Sequence, residues 1–416
     1  MKFFIVSVEA SGDQIGNSVI SSLSAIYPDA EFRGVGGDCM RSNPNFTCTV
    51  PVEDFGVCGI IDVVMSLPKI AWNFFRLYRH IASYRPDVLI TIDGYSFNIR
   101  LARLVKRLFP EVRRIHCVAP AVWAYMKWRA KICAKVFDHM LTLFPYELAY
   151  FRRWGLSCDC IGHPSIDVPI PANEKILSVK KEFFGNTAED VPLILVLFGS
   201  RKGGVHRVNK LFKEILSKVK TVYPSAKIIT VVSPGVAVLV QDMLKEWPFD
   251  VQIVNLSNDS YIRMSAQKFS VFAAADVALS HISTVNMELA RTNTPVVSVL
   301  AVDKIVRVLD FLTRPFGLSF YAIPTNFVLN KEVVPEWRHS LKRDPNKMAR
   351  LLINILDHSH PDYLKQLEGY AQSYELLFQI SAEEYEQHDS PFKYLIAQSV
   401  SRFLEMETAA GSGVAK

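Results

Sequence analysis

Two stretches set reactive or anion-seeking side chains at the ends of apolar runs. In "DVLITIDGYSFN", residues 87–98, an aliphatic and β-branched run leads directly into Asp93, and a polar corner containing Gly94 follows. A carboxylate is seldom buried without a partner, so an acid ending a buried strand asks for a reason, and a strand whose carboxyl end opens onto a cleft supplies one. In "LFGSRKGGVHRV", residues 197–208, Gly199 and Ser200 form a strand-to-helix corner and Arg201 follows at the helix start. Helix dipole and guanidinium together suit a diphosphate, although an arginine solvated on a loop accounts for the same residues.

Further candidates flank these two. "EASGD" sets Glu9, Ser11 and Asp13 around a small-residue turn at the end of the first apolar run. Ser11 or Asp13 capping the helix that follows is the simpler reading, with a role at a site as the alternative. "GVGG", residues 34–37, lets another backbone approach closely. In "ALSHISTVNMELA", residues 278–290, Ser283 or Thr284 caps a helix whose open end could take a phosphate or ribose, and Glu288 lies one turn in or is a surface acid. His163 in "IGHP" precedes a proline-rich break and is either close to a cleft or packed at a turn. No Asp-x-Asp occurs in the chain, so a metal bridging a diphosphate has no obvious ligand set. Helix termini and basic side chains must then neutralise the charge, and neither a metal nor any other cofactor is expected.

Residues 60–86 differ in kind. Val63, Val64, Leu67, Ile70, Trp72, Phe74 and Phe75 are mixed with Lys69, Arg76, Arg79 and Arg85. This mixture suits a membrane interface with anionic head groups, or packing on its own domain. Single-stranded RNA is a weaker alternative, because no RNA-binding signature accompanies it.

The elements that position these residues alternate. Short apolar runs, "KFFIVSV", "DVLITID", "RRIHCVAP" and "HMLTLF", are separated by helical-period segments, which predicts a parallel sheet covered on both faces. Proline and polar residues at 163–175 interrupt the rhythm, which restarts with "PLILVLFGS", "KIITVVS", "VQIVNL", "DVALS" and "PVVSVLA". The prediction is an α/β fold of two facing Rossmann-like domains, residues 1–168 and 169–365. C-terminal helices and a flexible tail, 366–416, would pack back on the first domain or on a partner subunit. At 416 residues, two domains is also the expectation from length. Seven scattered cysteines with no CxxC pair point to reduced thiols, and the net charge of +6 does not identify nucleic acid. The opening "MKFFIVSVEASGD" meets acids too soon for a signal peptide, and no apolar run reaches membrane-spanning length.

Taken together, the chain resembles the lipid-A-disaccharide synthases. The landmarks occur in order: "EASGD", "GVGG" with Met40, "GII" and "DVV", "DVLITIDGYSFN", "APAVWAY", "RAK", "AKVFDH", "LFPYE", "IGHP", "GSR", the Thr284–Glu288 segment, and "IPTN" with "VVPE". The resemblance implies a GT-B-type, metal-independent inverting glycosyltransferase. It would join UDP-2,3-diacylglucosamine to 2,3-diacylglucosamine 1-phosphate, with the chain bound peripherally to the cytoplasmic face of the inner membrane and, through its C-terminal helices, forming a homodimer. On this reading Asp93 is the general base, alone or relayed through an acid such as Asp13, and Arg201 stabilises the departing UDP. Gly199, Ser200, Ser283, Thr284, Glu288 and Asn326 would hold the donor. Asn98, Trp123 and Arg129 lie toward the acceptor, with Glu9, Ser11, Asp13 and His163 lining the cleft, and Val63, Val64, Leu67, Ile70 and Trp72 meet the membrane. The chain departs from the family pattern in four places: Gly204 stands where a glutamate is usual, Ile282–Ser283 replace Ser-Gly, Met126 replaces an arginine, and an extra residue separates Pro324 from Asn326. Rival readings are another UDP-sugar enzyme of the same architecture and a non-catalytic lipid-binding protein.

Overall fold

The computed structural model describes residues 1–55, 67–124, 126–184, 191–256, 261–301, 323–337, 344–378 and 388–412. The chain divides into two compact units, Met1–Asp167 with Leu377–Lys416, and Val168–Leu376.

The first unit is built on a seven-stranded sheet in the order β3-β2-β1-β4-β5-β6-β7. Its strands are β1 (Lys2–Ser7), β2 (Glu31–Gly36), β3 (Phe46–Pro51), β4 (Val88–Ile92), β5 (Arg113–Cys117), β6 (His139–Thr142) and β7 (Ser157–Cys160). Every pairing is parallel. In β4 all five residues of "VLITI" are buried, because helices cover both faces of a parallel sheet and no strand position meets water. The connecting helices used below are α1 (Ala10–Ile26), α2 (Asp38–Arg41), α3 (Leu67–Tyr84), α4 (Tyr95–Leu108) and α5 (Arg129–Val136). Helix α4 buries Ile99, Leu101, Ala102 and Val105 and places Lys106 and Arg107 in its last turn, where cations favour the negative end of the helix dipole.

The second unit repeats the plan with six parallel strands in the order β10-β9-β8-β11-β12-β13. These are β8 (Leu193–Leu197), β9 (Lys227–Val231), β10 (Gln252–Val254), β11 (Val277–His281), β12 (Val296–Val299) and β13 (Glu336–Trp337). Its helices include α6 (Lys202–Val222), α7 (Tyr261–Ala274), α8 (Val285–Arg291), α9 (Pro324–Leu329) and α10 (Pro345–Leu356). The face of α6 carrying Val205, Val208, Phe212, Ile215 and Val219 packs with Met348 and Leu352 of α10 into one apolar core.

The strand order fixes where ligands can bind. In the first sheet the chain steps from β1 to β2 and β3 on one side and then returns to β4 on the other. In the second it steps from β8 to β9 and β10 and then to β11. The β1/β4 and β8/β11 junctions are therefore topological switch points, where the helices that follow the two strands diverge and leave a crevice beyond the carboxyl ends.

The C-terminal helices separate. Helix α11 (Pro361–Phe378) serves the second unit through Gln366, whose amide accepts from Val296 N at 2.8 Å and donates to Val296 O at 3.2 Å. Tyr370 adds a hydroxyl bond to Thr294 O at 3.3 Å, so the return to the first unit falls at Leu377 and not at 366. Helix α12 (Pro391–Ser412) lies on the first unit. There Ser399 Oγ donates to Asp159 Oδ2 at 2.7 Å and lies 2.9 Å from His139 Nε2, while Phe403 stacks on the His139 ring.

Candidate active site

Asp93 stands one residue beyond β4, at the switch point of the first unit. Its backbone N donates to Cys117 O at 3.0 Å, extending the β4–β5 ladder through this position. Asp93 has φ +51° and Gly94 φ +48°, so the chain turns through two successive left-handed residues. Asp tolerates that region better than most side chains, and Gly94 is needed for a second reason: a Cβ there would approach Val8 Cγ2 to 2.3 Å. Gly94 N donates to Asp93 Oδ1 at 2.8 Å, which orients the half-buried carboxylate, and Asn98 Nδ2 donates to the backbone Asp93 O at 2.7 Å, which fixes the turn. Asn98 itself is fully buried and also bonds Ile92 O at 3.1 Å, tying the first turn of α4 to the strand end.

Arg129, the first residue of α5, lays its guanidinium 4.8 Å from the centre of the Tyr95 ring, two residues past Asp93. Burial raises the Tyr95 hydroxyl pKa, Cys133 adds to the rise, and Arg129 and Arg103 oppose it. The structure thus gathers Asp93, Asn98 and Arg129 at one corner.

Trp123 and His163 belong to a supporting layer. Trp123 is buried, and its indole N–H donates to Glu147 Oε1 at 3.2 Å. Glu147 Oε2 accepts from the backbone N of Leu143 and Phe144. His163 is also buried, with Nδ1 accepting from Ser165 N at 3.2 Å. Burial lifts the Glu147 carboxyl to about 8, against the pull of its three donors. An acid whose folded pKa is raised takes up a proton on folding. It stabilises fully below its unfolded pKa, and that contribution is lost as pH rises through about 8. Glu147→Gln is therefore expected to flatten the fall in Tm between pH 5 and pH 9 relative to the unaltered protein. Parallel Tm–pH curves for the two proteins would contradict this.

In the N-terminal "EASGD" motif, Asp13 serves the fold. Asp13 is 5% exposed, and its carboxylate accepts from Gly37 N at 2.6 Å, Cys39 N at 2.9 Å and Met40 N at 3.2 Å. It caps α2, not its own helix, and its oxygens are spent on these amides, which leaves it poorly suited to a proton relay. Glu9 is the N-cap residue of α1 by backbone position and makes no side-chain cap bond. "GVGG" is likewise structural at Gly34, where a Cβ would lie 1.8 Å from Ile5 O, so the backbone that approaches is that of β1.

In the second unit, Gly199 turns at φ +85° just beyond β8, followed by exposed Ser200 and exposed Arg201, the N-cap residue of α6. Arg201 O accepts from Gly204 N and Val205 N, which leaves the guanidinium out of the capping role. Ser283 and Thr284 are exposed, and Ser283 Oγ accepts from Val285 N at 3.4 Å. Glu288 pairs with Lys268 of α7 at 2.7 Å, both side chains mostly buried, so its carboxylate is already neutralised in part. Ile282 packs against the apolar core of this unit.

Asn326 does not present itself to a ligand. It is fully buried; its Oδ1 accepts from Val333 N and Val334 N, and its Nδ2 donates to Val334 O and Glu336 Oε2. The amide ties α9 to the segment leading into β13. Two residues that sequence reasoning did not single out stand at the same corner as Arg201: His281, ending β11, and Arg207, on the second turn of α6.

Of the expected membrane contacts, Val63 and Val64 lie outside the described residues, as do the side chains of Leu67 and Ile70; the side chain of Ser11, expected at the cleft, lies outside them too. Trp72 on α3 is 61% exposed and lies 6.3 Å from the ring of Phe75, itself 49% exposed.

The comparisons with known proteins speak to family and fold. The chain is 35% identical over 362 residues to the lipid-A-disaccharide synthase of Ruegeria pomeroyi, covering 84% of this chain and 86% of that one. It is 29% identical over 358 residues to the lipid-A-disaccharide synthase of Rickettsia typhi, covering 85% and 89%. Among solved structures it superposes on UDP-GlcNAc 2-epimerase from Neisseria meningitidis with a TM-score of 0.56 at 12% identity, covering 98% of this chain and 100% of that one. A glycosyltransferase from Rickettsia africae gives a TM-score of 0.52 at 11% identity, covering 97% of each chain. At such identities the structural likeness speaks for the fold, two parallel-sheet α/β domains of the GT-B type. The sequence profile of the lipid-A-disaccharide synthetase family matches residues 3–390, from β1 to the start of the last helix, and the chain belongs to that family.

Proposed function

We propose that the protein transfers the diacylglucosamine unit of UDP-2,3-diacylglucosamine to 2,3-diacylglucosamine 1-phosphate, forming a β-1,6-linked disaccharide 1-phosphate and releasing UDP. The observation that carries this reading is Asp93, held by the strand ladder and by Gly94 at a switch point in a chain of this family. The acceptor's 6-hydroxyl attacks the anomeric carbon from the face opposite UDP. Asp93 takes the hydroxyl proton as the new C–O bond forms. The bond from the anomeric carbon to the diphosphate breaks with its electron pair on the phosphate oxygen, and Arg201 at the start of α6 stabilises that charge. Both lipid substrates, incubated with the purified protein, are expected to yield the disaccharide by mass spectrometry together with equimolar UDP. UDP without disaccharide would favour a different acceptor, and neither product would favour a lipid-binding role.

The acyl chains of both substrates argue for work at a membrane surface on the cytoplasmic side. Among the described residues no helix is long and apolar enough to cross a membrane. Trp72 and Phe75, with Arg76 and Arg79 on the same helix, provide an aromatic and cationic patch suited to anionic head groups. Trp72→Ser with Phe75→Ser is expected to weaken binding to vesicles containing anionic lipid by roughly tenfold or more, since about 25 cal/mol is lost per Å² of apolar surface. Unchanged vesicle binding would remove α3 from the docking surface.

A further inference from the structure

The corner formed by β8, β11 and the start of α6 holds more than Arg201. Ser280 pairs with Leu197 across β11 and β8, so His281 emerges beside the Phe198–Gly199 turn. Its imidazole lies against that turn: a Cβ on Gly199 would stand 3.5 Å from His281 Nδ1, and one on Gly204 would stand 3.9 Å from Nε2. At both positions a Cβ would be in ordinary van der Waals contact with the ring, so the imidazole lies directly against the turn and the first turn of α6. Arg207, on the next turn of α6, reaches back over the first turn of that helix. A Cβ on Gly203 would meet Arg207 Nη1 at 3.0 Å, and Arg207 Nε donates to Ala301 O at 3.0 Å, just past β12, which fixes the direction of the fork. The start of α6 with Arg201 as its N-cap residue, His281 against the Phe198–Gly199 turn and Arg207 lying over Gly203 thus border the first turn of α6 at this switch point, an arrangement suited to an anion.

We infer that His281 and Arg207 are diphosphate ligands of the donor, acting beside Arg201. This inference rests on the reading of the second unit as the UDP-sugar unit and assigns the residues that hold the diphosphate. Gly204 then has an account. A glutamate there would place its stem against the imidazole and offer it a carboxylate, which glycine does not. The departure from the family pattern at Gly204 is matched by His281, so the donor corner is altered without being lost.

The test is calorimetric titration of the full-length protein and of the His281→Ala, His281→Gln and Arg207→Ala variants with UDP and with UMP. Each alanine variant is expected to lose roughly tenfold or more in UDP affinity, as for a lost charge-assisted hydrogen bond, while UMP affinity shifts by less than about threefold. His281→Gln, which keeps a donor, should recover part of the loss. Retained UMP binding shows that each variant is folded. UDP affinity unchanged in both alanine variants, or UDP and UMP affinities falling together, would overturn the assignment while leaving the donor reading in place. Failure of the unaltered protein to bind UDP would overturn both.

Discussion

Asp93→Asn is expected to lower kcat by roughly 10²–10⁴-fold, the range that a positioned general base contributes. The substitution is close to isosteric and removes the proton acceptor alone. Asn tolerates the left-handed backbone as Asp does, so φ +51° at this position need not change. Its side-chain oxygen can still accept from Gly94 N, which now bonds Asp93 Oδ1 at 2.8 Å. The bonds of Asn98 Nδ2 to Ile92 O and Asp93 O involve only the backbone of this turn. Tm and UDP affinity should therefore stay near those of the unaltered protein, and the loss should appear in kcat measured by UDP release. Asp93→Ala is a poorer test, because alanine in the left-handed region adds about 1–2 kcal/mol of strain that confounds chemistry with folding. Near-normal turnover in Asp93→Asn would remove Asp93 from the base role.

Arg201→Ala should lower kcat/KM by roughly 10²-fold, the scale of a lost donor to developing charge. Arg201 is exposed and caps α6 through its backbone, with no side-chain cap bond. Truncation should thus leave stability within about 0.5 kcal/mol. Arg201→Lys keeps the charge and loses the fork, so an intermediate rate is expected where the guanidinium meets the diphosphate with two parallel bonds. Equal rates for the alanine variant and the unaltered protein would show that Arg201 does not touch the donor.

Much of this framework is legible in the residues because the strongest signals are local. "VLITI" and "LILVL" are buried at every position, and continuous apolar runs of that length between helical segments read directly as strands of a covered parallel sheet. The acid after the first run and the Gly-Ser-Arg corner after the second follow from the same pattern. Strand β3 was harder to see. Its "FTCTVP" is only partly buried, and as an edge strand it carries a mixed surface with no clean apolar run. Strand β13 spans two residues and is set by its neighbour β12 alone.

The site was legible where a residue's role depends on the strand that carries it, and not where it depends on distant partners. Asp13 sits in a motif suited to a helix cap, but the amides it caps belong to residues 37–40, and only the fold brings them together. Asn326 has a similar history: its partners at Val333, Val334 and Glu336 lie on the far side of a turn that its own amide stabilises. His281 stands beside the Phe198–Gly199 turn only because β11 pairs with β8, an adjacency that skips over β9 and β10 in the chain.

Donor chemistry at the β8/β11 switch point is decided by a crystal structure of the full chain with UDP. The expected result is a diphosphate within hydrogen-bond distance of the Gly199–Arg201 turn, with His281 and Arg207 beside it and the uridine beyond the carboxyl ends of the second sheet. UDP bound instead at the β1/β4 corner beside Asp93, or away from both switch points, would contradict the account.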